Sequence, residues 1–198
     1  MKAGLFFSAA LLALGIAAPA AHAGIDELRL GYVGNIRDDH GDIGEGKPGE
    51  NAEAELVFSS PAILELLGSP RPYIMGSVAT EDNGVNFGGF GLYWRWEFAD
   101  GWAFEPGFGY IIHDGEIDTP EGLSPAEADA FEAQHQLLGS RDLFRDSFAL
   151  EREFGDQFAM QLYWEHMSHG QVLGSGRNQG LDYVGLRGVI RFTPDPSE

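Results

Sequence analysis

Residues 157–168 read QFAMQLYWEHMS. Taken alternately, they separate into two unlike rows. Phe158, Met160, Leu162 and Trp164 form one; Gln157, Ala159, Gln161, Tyr163 and Glu165 form the other. A period of two belongs to a strand, whose successive side chains leave opposite faces. Residues 181–192, LDYVGLRGVIRF, repeat the pattern. Val184, Leu186, Ile190 and Phe192 line one face, interrupted at Gly188, while Tyr183, Gly185, Arg187, Val189 and Arg191 line the other. One apolar and one polar row per strand fit a wall with lipid outside and a polar lumen inside. Lumen positions are then expected to accept charge more readily than lipid-facing ones. The rival is a soluble lipocalin-type barrel, with the apolar row inward and Glu165, Arg187 and Arg191 in water.

The same periodicity runs outward along the chain. Eight such segments stand at 27–36, 51–59, 71–80, 84–98, 102–112, 141–154, 157–168 and 181–192, each bounded by turn chemistry. Ala99-Asp100-Gly101 and Gly155-Asp156 read as tight hairpin turns, and PAILELL within 60–70 as a short helical piece. Stretches 37–50, 113–140 and 169–180 are long and would share the opposite end. An even strand count with long loops at one end describes an all-β, eight-stranded antiparallel up-and-down transmembrane β-barrel with long extracellular loops. Within 113–140, Ser124 and Pro125 open SPAEADAFEAQHQLL, a helix-forming stretch with a capping serine.

The N-terminus reads MKAGLFFSAALLALGIAAPAAHA. A lysine, an apolar run and Ala21-His22-Ala23 make a secretory signal peptide over 1–23, with cleavage expected after Ala23. The outer-membrane barrel domain is then expected over 24–198. Cysteine is absent, which excludes a disulfide-stapled scaffold. The 31 acidic residues outweigh the 12 basic ones, for a formal net charge of −19, and this argues against a nucleic-acid partner. With 28 glycines and 12% aromatics, the composition suits antiparallel sheet better than a helical globule.

The apolar row of 157–168 does not end apolar. His166 and Ser168 continue it in phase, and Asp182 heads the apolar row of the next strand. Antiparallel neighbours joined by 169–180 bring these loop-proximal ends together on the outward face. A serine needs a base to take its proton, and a histidine base needs a carboxylate to fix its tautomer. Polar side chains at a strand end beside water are the plainer alternative. His166 and His169 point to opposite faces at this spacing, so no metal site is expected.

The stretch Tyr163 to Phe192, YWEHMSHGQVLGSGRNQGLDYVGLRGVIRF, resembles the C-terminal signature of the outer-membrane lipid A 3-O-deacylases (PagL-type enzymes). FEPGFGY at 104–110 and LGSRDLFRDSFALEREF at 138–154 resemble further family segments. The resemblance implies Ser168 as nucleophile, His166 as general base and Asp182 as the orienting acid, where the family more often has Glu. His169 stands where the family usually has an asparagine of the oxyanion hole. That leaves the His169 ring, the Gly170 backbone and Asn178 as the candidate donors. The implied activity is hydrolysis of an ester-linked acyl chain of lipid A or lipopolysaccharide, at the 3-O position, in the bacterial outer membrane. It needs no cofactor and leaves a homodimer open. The alternatives are a non-catalytic barrel of the same fold and a soluble lipocalin-like lipid-binding protein.

Overall fold

The computed structural model describes residues 24–36, 49–82 and 84–192. The signal peptide expected over 1–23 and most of the 37–50 loop lie outside these residues. Nine strand segments follow one another: β1 (Ile25–Asn35), β2 (Glu50–Phe58), β3 (Arg71–Ala79), β4 (Phe87–Tyr93), β5 (Trp96–Ala99), β6 (Trp102–His113), β7 (Asp142–Glu153), β8 (Phe158–Ser168) and β9 (Leu181–Arg191). All pairings are antiparallel. β1 pairs with both β2 and β9, and β4 and β5 both pair with β6, so the sheet closes.

The closed sheet has eight staves, because β4 and β5 are parts of one. Tyr93 faces Gly107 and Trp96 faces Phe104, so the register runs on across Trp94 and Arg95. The ladder lapses there because Pro106 has no N–H to give. Its carbonyl still accepts the Trp94 N–H at 2.9 Å.

The alternation resolves as a membrane wall and not as a soluble barrel. Arg145 is 0% exposed inside, whereas Leu186 is 54% and Phe90 60% exposed outside. This is the inverse of a lipocalin-type arrangement, which is thereby discarded. Among the described residues the lumen is packed with paired charge. Arg145 donates to Glu165 at 2.6 Å and to Glu55 at 3.0 Å. Arg187 meets Glu55 at 2.8 Å, Arg29 meets Glu105 at 2.5 Å, and Arg191 meets Glu151 at 2.6 Å. Tyr73 and Tyr93 stack across the middle with ring centroids 4.1 Å apart. Gly91 and Gly109 make room for them, since a side chain at either would strike the Tyr73 hydroxyl. A buried, hydrogen-bonded ion network loses heavily when one partner is removed.

The described long loops, 113–140 and 169–180, gather at the ends of β8 and β9 nearest Ser168. Helix α1 (Pro125–Gln134) forms as its sequence predicts. The Ser124 side chain accepts the Glu127 N–H, and Glu127 returns the bond to the Ser124 N–H. Past α1 the chain turns into the barrel mouth, where Leu137 and Leu138 are buried. There the Leu137 N–H donates to Gln179 Oε1 at 2.5 Å. A 3-10 turn over Ala62–Leu67 occupies the expected PAILELL segment.

Candidate active site

β8 sets the site. Its outward row runs Phe158, Met160, Leu162, Trp164, His166, Ser168, and its inward row holds Gln161, Tyr163 and Glu165. The register of β8 with β9 puts Asp182 directly opposite His166. Asp182 Oδ1 lies 2.9 Å from His166 Nδ1, with the two side chains 17% and 27% exposed. With Nδ1–H donating to the carboxylate, the lone pair sits on Nε2, the tautomer a general base requires. The indole of Trp164 lies under the imidazole, nearly parallel at 14° with centroids 6.2 Å apart.

Ser168 stands two residues beyond His166 on the same face, opposite Phe144 of β7. Among the described residues its hydroxyl makes no hydrogen bond to His166 or to any other side chain. The acid–base half of a triad is thus assembled, while the base–nucleophile half is adjacent but not closed. Such contacts often tighten only when substrate is bound. Glu165 lies on the other face, paired with Arg145 at 2.5 Å, and cannot serve His166.

The three oxyanion candidates occupy different places. His169 is fully buried. Its Nε2 is 2.9 Å from the Arg177 carbonyl, and its Nδ1 accepts the Gln171 N–H at 3.1 Å. Both ring nitrogens are used inside the loop, which leaves the ring no proton to offer outward. Gly170 turns the chain at φ +59°, a left-handed conformation that favours glycine, and a Cβ there would meet the Phe144 ring at 3.5 Å. It therefore borders the ring that Ser168 faces. Asn178 is half-buried, and its amide oxygen is enclosed with no partner among the described residues.

One group at this level escaped the sequence reading. Asp146 of β7 is the other register neighbour of His166. Its signal was available, because it breaks the apolar row Phe144, Phe148, Leu150. Below this level the wall is aromatic. Phe104 stacks on Phe148 at 5.9 Å, and Phe148 on Trp164 at 5.7 Å. Among the described residues no group of His, Cys, Asp and Glu is arranged to hold a metal ion.

A protein-family model described as lipid A 3-O-deacylase (PagL) matches residues 67–191, a span that includes His166, Ser168 and Asp182. No curated protein matches. Among solved structures, the chain is similar to the outer membrane enzyme PagL at 13% identity, covering 83% of this chain and 98% of that one, with a TM-score of 0.57. It is also similar to the N-terminal β-barrel domain of Pseudomonas aeruginosa OprF at 9% identity, covering 85% and 99%, with a TM-score of 0.49. At such identities the first likeness shows the fold, a closed eight-stranded outer-membrane barrel.

Proposed function

The chain belongs to the lipid A 3-O-deacylase (PagL) family, and from that membership we propose that it removes the 3-O-linked acyl chain of lipid A by a Ser-His-Asp mechanism in the outer membrane, which it reaches by means of its signal peptide. The observation that carries the reading is the 2.9 Å contact between His166 Nδ1 and Asp182 Oδ1 on the outward face, beside Ser168.

The position of the site suits that substrate. An acyl ester of lipid A lies between the sugar headgroup and the hydrocarbon. A nucleophile at the loop-proximal edge of a lipid-facing wall meets it without drawing the lipid out of the membrane. The chains below it would lie against Trp164, Phe148 and Leu162. In the reaction His166 Nε2 takes the Ser168 proton as Oγ attacks the ester carbonyl. Asp182 stabilises the imidazolium that results. Collapse of the tetrahedral intermediate passes that proton to the departing sugar oxygen. Water, deprotonated by the same nitrogen, then frees the fatty acid and restores Ser168. Gly170 is the backbone donor best placed for the oxyanion, with Asn178 as its companion in the loop.

The test is mass spectrometry of lipid A after incubation with the purified, folded protein. The parent is expected to yield a product shortened by one acyl chain, with fragmentation assigning the loss to position 3. Intact lipid A, or loss from another position, overturns the reading at the corresponding level.

A further inference from the structure

The end of the barrel opposite Ser168 carries its short turns, the end that meets the periplasm in an outer-membrane barrel. Two of the described turns there are polar, Ala99-Asp100-Gly101 and Gly155-Asp156. The third, between β2 and β3, is apolar. Residues 59–70 carry one charge, Glu65, and fold into the 3-10 turn over Ala62–Leu67, in which no residue is buried. Leu66 is 98% exposed and Ile63 84%, more than any other large apolar residue described. Apolar side chains held out in this way are unfavourable in water and mark a contact surface.

The turn itself says what it contacts. A 3-10 helix repeats every three residues, which aligns Ile63 with Leu66 and Leu64 with Leu67, and leaves Ala62 and Glu65 on the remaining side. Two adjoining sides are apolar and the third is charged, the division of an element that lies in a membrane surface. The turn is also fastened to the lipid-facing wall. Trp94 follows lumen-facing Tyr93 and so points outward, and its Nε1–H donates to the Leu67 carbonyl at 2.8 Å. Gly68 closes the turn at φ +84°, with the indole 3.8 Å from where its Cβ would stand. The apolar turn is thus continuous with the wall and does not plug the lumen. Its side of the barrel is also short of boundary residues. At this end Trp94, Trp96 and Trp102 stand between β4 and β6, whereas β1, β2 and β3 have no tryptophan.

We propose that the Ala62–Leu67 turn is an interfacial anchor, with Ile63 and Leu66 inserted into the phospholipid of the periplasmic leaflet and Glu65 turned to water. It completes the boundary belt beside β2 and β3, and its occupant is a lipid surface. The proposal is independent of the deacylase reading.

The chain has no cysteine, so a single introduced thiol labels one place. Ile63→Cys, Glu65→Cys, Leu66→Cys and Asp156→Cys each receive a polarity-sensitive fluorophore. Each is then placed, one barrel per disc, in phosphatidylethanolamine–phosphatidylglycerol nanodiscs, after heat-modifiable migration on gels has verified folding. Labels at 63 and 66 are expected to be quenched by doxyl lipids, more by doxyl groups high on the acyl chain than by those near its end. Their quenching by aqueous iodide should be about fivefold or more below that at 156, as for side chains seated at the headgroup–acyl boundary. The label at 65 should remain open to iodide. Iodide access at 63 and 66 equal to that at 156 overturns the proposal. So does equal shielding at 63, 65 and 66, which removes the orientation. Shielding from iodide without doxyl quenching, or only in discs that hold two barrels, assigns the surface to protein and overturns it as well.

Discussion

Asp182 and His166 face each other across the β8–β9 ladder and meet through one 2.9 Å contact between Oδ1 and Nδ1. The acid comes from the first turn of a strand and not from a loop, so its reach is set by backbone register. Asp182→Asn should leave the barrel intact but offer an N–H to Nδ1, which places the imidazole proton on the nitrogen meant to be basic. In serine proteases the matching change lowers turnover by about 10⁴. A comparable fall, measured on lipid A in micelles, is expected here. Asp182→Glu keeps a carboxylate on the same face and should retain measurable activity. Parent-like turnover by Asp182→Asn would remove Asp182 from the mechanism.

In the proposed mechanism Ser168 is assigned the nucleophile's role by position alone, since its hydroxyl is not bonded to His166 among the described residues. Ser168→Ala should lower deacylation by about 10³-fold or more. Because the residue ends β8, unfolding in detergent should shift by less than about 1 kcal/mol. Continued acyl release by this variant would point to direct water attack and not to an acyl-enzyme.

The strands were legible because a two-residue period survives in every stave, and phase alone placed His166, Ser168 and Asp182 on one face. Phase also settles two residues read less well. His169 follows Ser168 and must point inward, where it is found. Asp146 shares the phase of Phe144 and Phe148 and must point outward, where it is found. What phase cannot supply is the pairing across the lumen. That Glu55 serves both Arg145 and Arg187 depends on closure between strands far apart in sequence. The lapse in the β4–β5 stave was hidden for the same reason, because its cause, Pro106, lies in the partner strand.

That lumen network yields an inverted expectation for neighbouring residues of β9. Leu186→Arg places a charge on the lipid face and should cost about 2–4 kcal/mol near the bilayer midplane. Arg187→Leu looks milder by hydropathy but withdraws a partner from buried Glu55, 2.8 Å away. Removing one member of such a pair costs about 3–5 kcal/mol, less whatever Arg145 recovers. Urea unfolding in lipid vesicles should therefore show both variants destabilised. A neutral Arg187→Leu would mean that the lumen charges are hydrated and loosely held.

Arg177 fastens the 169–180 loop at two points. Its carbonyl receives the His169 Nε2–H at 2.9 Å, and its guanidinium reaches Glu132 of α1 at 2.9 Å. His169→Ala releases the Arg177 carbonyl and the Gln171 N–H together. Amide exchange in 171–179 should quicken by about tenfold or more, as for the loss of one or two hydrogen bonds of about 1 kcal/mol each. The strands should keep their protection. If Gly170 and Asn178 supply the oxyanion donors, kcat should fall while KM changes little, because the loop positions donors that act in the transition state. The second fastening titrates. Hydrogen bonds from Arg177 and Thr119 hold the Glu132 carboxyl below its ordinary value. A carboxyl lowered on folding stabilises above its unfolded value and loses that contribution as pH falls through the folded one. Protection of the α1 amides, taken relative to their intrinsic exchange rate at each pH, should therefore fall on acidification below the ordinary carboxylate range, and Glu132→Gln should lower it at neutral pH and flatten the dependence. Identical exchange in parent and His169→Ala would show that the buried ring does not hold the loop, and would leave the orientation of Gly170 to the β8 end alone.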